Sequence, residues 1–172
     1  RDAAVVASQA CFGQVLDAHY DLKAAKVILS LDADFLNNTP NSVRSLRDFA
    51  NGRHVENGKA DMNRLYVAEA APSVTGASAD HRLRIKASEV EVFAAALAES
   101  LGVATGATVP ALPPKATEWL APLAADLQRA GSTAVVIAGD QQTPGVHALA
   151  HAINAQLGAV GTTVSYSAPV DI

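Results

Sequence analysis

The sequence predicts an α/β fold: a Rossmann-like three-layer sandwich with a mostly parallel sheet of about five strands and helices on both faces. Three observations predict it. Short apolar runs alternate with stretches of helical period along the whole chain. The helical stretches carry start and stop residues at their ends. Finally, 172 residues with 49% hydrophobic and only 17% charged side chains suffice for one continuous core. Residues 1–172 are therefore expected to form a single domain.

The elements follow in order. The opening "AAVVAS" reads either as a strand or as a helical turn. "AKVILSL" (25–31) is the first clear strand. A helix follows, with Thr39 as cap, Pro40 at the first helical position, Val43, Leu46, Phe49 and Ala50 as its inward stripe, and Gly52 as stop. "RLYVAEA" (64–70) is the next strand. In "ASEVEVFAAALAESLG", Ser88 and Glu91 have capping-box spacing, Val90, Phe93, Leu97 and Leu101 point inward, and Gly102 ends the helix. The Pro- and Gly-rich stretch 103–116 has neither period and reads as an exposed connection. A helix from Thr117 to Gly131 holds Pro122 in its first turns, where a kink is expected. "TAVVIAG" (133–139), a helix burying Val146, Leu149, Ala150, Ile153 and Leu157, and the strand "TTVSYSA" (162–168) complete the pattern.

Composition narrows the function classes. The net charge of −4 comes without a basic run, which argues against tracking a phosphate backbone. No apolar stretch approaches the roughly 18 residues that span a bilayer. One cysteine, Cys11, excludes an internal disulfide and a Cys-rich metal or iron–sulfur site held by this segment alone. With Phe12 beside it and no basic neighbour in sequence, Cys11 reads as an inert buried thiol. A start on Arg1 and an end on "SAPVDI" suggest a fragment of a larger subunit.

The chemistry candidates begin with "KVILSLDADFL", where a buried run ends in Asp32 and Asp34. It resembles the haloacid-dehalogenase signature, in which the first Asp is a nucleophile and the second an acid/base at a strand end. "VVIAGDQQTPG" adds a later strand with Gly139 and Asp140. Leu36, however, stands where Thr or Val is expected, and Pro144 and Gly145 stand where a further magnesium ligand should be. Both aspartates are equally read as turn-capping residues at a strand end. His147 and His151 are four apart on a helix, a spacing that suits two metal ligands or a helix flank packed on a neighbour. "SADHRLRIK" forms either an anion site or a solvated strand edge. The common nucleotide and hydrolase fingerprints G-x-G-x-x-G, G-x-x-x-x-G-K-[ST] and G-x-S-x-G do not occur.

Three blocks, "AKVILSLDADFLNNTPNSVRSLRDFA", "MNRLYVAEAAPSVTGASADHRLRIKASEVEVFAAAL" and "VVIAGDQQTPGVHALAHAINAQLGAVGTTVSY", resemble the nucleotide-fold core of molybdopterin oxidoreductases of the dimethyl-sulfoxide-reductase superfamily. The likeness is strongest to the molybdopterin-oxidoreductase-like iron–sulfur subunit of alternative complex III, a respiratory quinol-oxidising assembly. Glu69 falls at that family's strand-end acid, Ser73 and Thr75 at its two threonines, Asp80 at the Asp of its A-D pair and Lys86 at an Arg. Asn154, Leu157 and Gly158 match its late A-x-N-x-L-x-G helix. Asp32 and Asp34 replace the Gly and Asn of its G-x-N, Ala70 and Ala71 replace Pro and Arg, and "ASEV" (87–90) replaces P-G-T-D, with Val90 at the guanine-recognising Asp.

The resemblance implies a fold kept and a pterin site lost: a cofactor-less, non-catalytic structural domain that packs against the rest of its subunit and other subunits of a membrane-associated complex. It implies a place on the outer, periplasmic face of the bacterial inner membrane, iron–sulfur clusters elsewhere in the parent subunit, and no nucleic-acid partner. Two alternatives stand beside it. One is an active domain binding molybdopterin guanine dinucleotide through Asp34, Glu69, Thr75 and Asp80. The other is a magnesium-dependent phosphatase built on Asp32 and Asp34.

Overall fold

The structure, a computed structural model, describes residues 2–39, 41–55, 61–106 and 108–169. In chain order it contains α1 (Asp2–Phe12), β1 (Asp17–Tyr20), β2 (Val27–Leu31), α2 (Ser42–Asn51), β3 (Arg64–Glu69), α3 (Val74–Ala77), β4 (His81–Arg84), α4 (Ala87–Ser100), α5 (Pro114–Ala130), β5 (Ala134–Ala138), α6 (Pro144–Gln156) and β6 (Val164–Ser167). The fold is the predicted Rossmann-like α/β sandwich. Its main sheet has four parallel strands rather than five, in the order β4-β3-β2-β5.

Period-two burial builds the layers. Leu29 and Leu31 of β2, Tyr66 and Ala68 of β3, and Ala134, Val136 and Ala138 of β5 share one face, packed on Val90, Phe93 and Leu97 of α4, Leu123 and Leu127 of α5, and Val146 and Ile153 of α6. Ile28, Leu65, Val67, Val135 and Ile137 point to the other face, against Leu22, Phe35, Phe49 and Val164. Both faces are buried, which is why these strands read as near-continuous apolar runs.

The differences from expectation have physical reasons. "TTVSYSA" does not extend the main sheet: β6 pairs antiparallel with β1 in a separate two-stranded ribbon, Asp17 opposite Ser167 and Tyr20 opposite Val164. Its alternation of apolar and polar residues suits a ribbon with one wet side. The opening run is the helix α1, laid on α6, with Phe12 packed on His151 and Tyr166 at ring separations of 5.3 and 4.7 Å. Cys11 is exposed, not buried. On α2 only Asp48 and Phe49 are buried, so Val43, Leu46 and Ala50 do not form an inward stripe. Asn41 precedes the helix in place of Thr39, Gly52 follows it with right-handed backbone, and Pro40 lies outside the described residues.

The ends of the remaining helices are informative. At α4 the Glu89 carboxylate accepts from the Lys86 amide at 3.3 Å, so one bond of a capping box forms, two residues ahead of the Ser88–Glu91 spacing. Helix α5 begins at Pro114, inside the stretch predicted as connection, and carries Pro122 within it; Gly131 follows with φ +54. The described residues of 103–113 form loop, with Val103 and Leu112 resting on the core. The outer edge of β5 is covered by side chains. Asn154 of α6 accepts from the Val136 amide at 2.9 Å and donates to its carbonyl at 2.8 Å, and the Thr163 hydroxyl donates to the Ala134 carbonyl at 2.5 Å.

Candidate functional site

In an open parallel sheet, ligands bind beyond the carboxyl ends of the strands, where the chain direction of strand addition reverses. Here that point lies between β2, which pairs with β3 on one side, and β5 on the other. Asp32 and Asp34 follow β2, and Gly139 and Asp140 follow β5.

The turn after β2 has an unusual backbone. Asp32 has φ +56, the only non-glycine residue among the described residues in the left-handed region. Ser30 holds the turn: its hydroxyl accepts from the Ala33 amide at 3.0 Å and donates to the Ala33 carbonyl at 2.8 Å. The Asp32 carboxylate then accepts from the Ala70 amide (3.2 Å) and the Gln142 side chain (2.8 Å), while Gln141 donates to the Asp32 carbonyl at 2.6 Å. Gly139 completes the closure. A Cβ there would sit 2.1 Å from the Asp32 carbonyl oxygen, so only glycine lets the two loops approach this closely.

Asp34 and Glu69 are bound into a second, adjoining set. Asp34 Oδ1 accepts from the Thr75 amide (2.9 Å) and hydroxyl (2.8 Å), and Oδ2 from Asn37 at 3.2 Å. Thr75, itself buried, accepts from the Leu36 amide at 3.1 Å. Partial burial works against ionising Asp34, but the Thr75 and Asn37 donors outweigh it and hold the carboxyl below its ordinary value. Glu69 is 2% exposed; one oxygen is ion-paired to Arg82 and the other accepts from Ser73 at 2.6 Å. Ser73 also caps α3 by accepting from the Gly76 amide at 2.9 Å. A Cβ on Gly76 would lie 1.9 Å from the Glu69 carboxylate, so this glycine makes room for the buried acid.

The four predicted contact residues are thus divided. Asp34, Glu69 and Thr75 meet at the carboxyl end of the sheet. Asp80 does not join them: its amide donates to the Leu65 carbonyl and its carboxylate accepts from the Leu65 amide, at the amino end of β3. That is about 13 Å of strand away from Glu69. Asp80 forms a two-pronged pair with Arg53 at 2.9 and 2.5 Å, which overcomes its desolvation and lowers its pKa.

The other candidates are also tied into the fold. Val90 is fully buried in the α4 core, and Lys86 is exposed beside Glu89 at 3.3 Å. His151 bonds the Tyr166 hydroxyl at 3.0 Å, and burial, with His147 nearby, lowers its pKa to about 4. His147 is buried, with no hydrogen-bond partner for Nε2 among the described residues. Among the described residues no group of three or more His, Cys, Asp or Glu side chains is placed to hold a metal. The segment 81–84 is the sheet edge β4, as its strand-edge reading requires.

The active alternative requires Asp34, Glu69, Thr75 and Asp80 at one site, and the structure brings only the first three together. The resemblance places a phosphate-approaching glycine at Asp32; its carboxylate, with Gln141 and Gln142 bonded beside it, puts bulk and negative charge there. The two glutamines were not among the residues singled out from sequence. The signal available was their place, directly after the strand that flanks the switch point. No protein-family model matches the chain, and no curated protein is found to be similar to it.

Proposed function

We propose that this chain is a non-catalytic, cofactor-less structural domain of a molybdopterin-oxidoreductase-like subunit in a respiratory, quinol-oxidising electron-transfer complex. One observation carries the reading: the switch-point crevice is occupied by the chain's own bonds. Asp32, which the resemblance sets at the glycine of G-x-N, has a left-handed backbone and turns its carboxylate to Ala70 and Gln142. The same bonds disfavour a nucleophilic role, because each Asp32 oxygen is engaged by a donor from a neighbouring loop. An electron-transfer assembly needs rigid bodies that set the distances between its redox centres, and a domain whose ligand crevice is filled supplies one.

The test is metal and pterin analysis of the full-length protein purified within its assembly. Molybdenum, tungsten and extractable pterin are expected well below one per subunit. Stoichiometric amounts of either metal, or of pterin, would overturn the reading in favour of an active cofactor domain. Magnesium-dependent phosphatase turnover abolished by Asp32→Asn would overturn it in favour of the phosphatase.

A further inference from the structure

We infer that the outward face of α2 is a docking surface for a partner protein segment that presents carboxylates beside an apolar side chain. The face has two adjacent stripes. Val43 and Leu46, 83% and 49% exposed, form an apolar stripe that touches no core of this chain. Next to it, Arg44, Arg47, Asp48 and Asn51 line an open depression of about 510 Å³, together with Asp21 and Lys23.

Charge decides what the depression receives. Its two carboxylates are already engaged: Asp48 is buried between Arg44 and Arg47, each 3.4 Å away, and Asp21 accepts from the amides of Lys23 and Ala24. Lys23 has no ion-pair partner among the described residues, and the side chains of Arg44 and Arg47 are about two-thirds exposed, with long contacts to Asp48. Three cations against two acids leave one cation in excess in the depression, on a chain of net charge −4. An incoming carboxylate finds the Lys23 ammonium and the guanidinium N–H groups that Asp48 leaves free, and its apolar neighbour finds Val43 and Leu46.

Two other occupants fit less well. A second copy docked by a two-fold axis would bring this basic stripe against itself. A membrane surface would gain little from two apolar side chains on a 10-residue helix, and anionic headgroups would repel the acidic remainder. Asp21 and Lys23 lie ahead of β2, and Asn51 ends α2 ahead of β3, so the depression opens at the amino end of the sheet. It is remote from the filled crevice, and its failure would leave the proposed function standing.

The test places a photo-crosslinking amino acid at Leu46 in the full-length protein within its native assembly and sequences the crosslinked peptide. The expected product is a segment of another polypeptide with Asp or Glu within a few residues of an apolar side chain. Arg44→Glu with Arg47→Glu should cut the yield at least about tenfold, and Lys in place of the partner's acids should restore it. Val43→Ser with Phe49 retained gives a second, fold-neutral variant that should also lower the yield. Crosslinks to a second copy or to lipid, crosslinks confined to this chain, or a yield indifferent to the charge reversal would each overturn the proposal.

Discussion

Asp32 is where a single residue carries the most conformational conflict. A left-handed backbone costs an ordinary L-residue about 1–2 kcal/mol, less for Asp, and here Ser30 and two carboxylate bonds compensate. Asp32→Ala should lose the bonds and retain the strain, lowering stability by about 1–3 kcal/mol. Asp32→Gly should lose the same bonds but relieve the backbone, and so fall between wild type and Ala in urea denaturation. Equal midpoints for the two variants would show that the backbone at this position is unstrained. Part of this site was legible: the strand-end placement of Asp32, Asp34 and Glu69 follows from the apolar runs that precede them. What was not legible is direction. Nothing in "RLYVAEAAPSVTGASAD" distinguishes a buried Glu69 paired to Arg82 from one facing a ligand, nor does sequence reveal that Asp80 lies at the opposite end of the strand.

At the scale of elements, strands were legible because burial on both faces leaves an uninterrupted apolar run, as in β2, β3 and β5. The short β1, "DAHY", has no such run, and it forms only because β6 pairs with it. Helix α2 shows the limit of periodicity. An apolar stripe fixes the period of a helix but not which stripe meets the core, and here Phe49 alone does so, with Arg53 over its ring at 4.6 Å. Val43→Ser with Leu46→Ser should therefore change the stability of the isolated chain by less than about 0.5 kcal/mol. Phe49→Ala should cost about 3–5 kcal/mol. Thermal or chemical denaturation of the two variants distinguishes this packing from the stripe read in the sequence, which requires both to be costly.

The whole molecule responds to acid through two sets of groups. His151 has a folded pKa of about 4 against an ordinary 6.5, because burial disfavours its charged form. The unfolded chain therefore binds this proton first, and stability should decline as pH falls from about 6.5 to about 4. The lowered carboxyls of Asp34, Asp80 and Asp126 act further down: their contribution is present above the ordinary value of 3.8 and is lost as pH falls through the folded values. Asp126 belongs to the tie in which Tyr66 and Arg64, both at 2.6 Å, hold β3 to α5. Unfolding free energies measured across this range should show two successive losses, and His151→Phe should shrink the upper one, leaving the part due to His147, whose pKa burial also lowers. An unchanged slope above pH 4 in that variant would exclude His151 as its source.

The side chains along β5 have a consequence for crowding. Asn154 and Thr163 answer the backbone groups that an outside strand would need, and Arg82 and Arg84 line the opposite border of the sheet with charge. Neither border is a template for polymerisation. A neighbour packed against either border therefore gains no strand-to-strand register, and the main sheet stays four strands wide however crowded its surroundings.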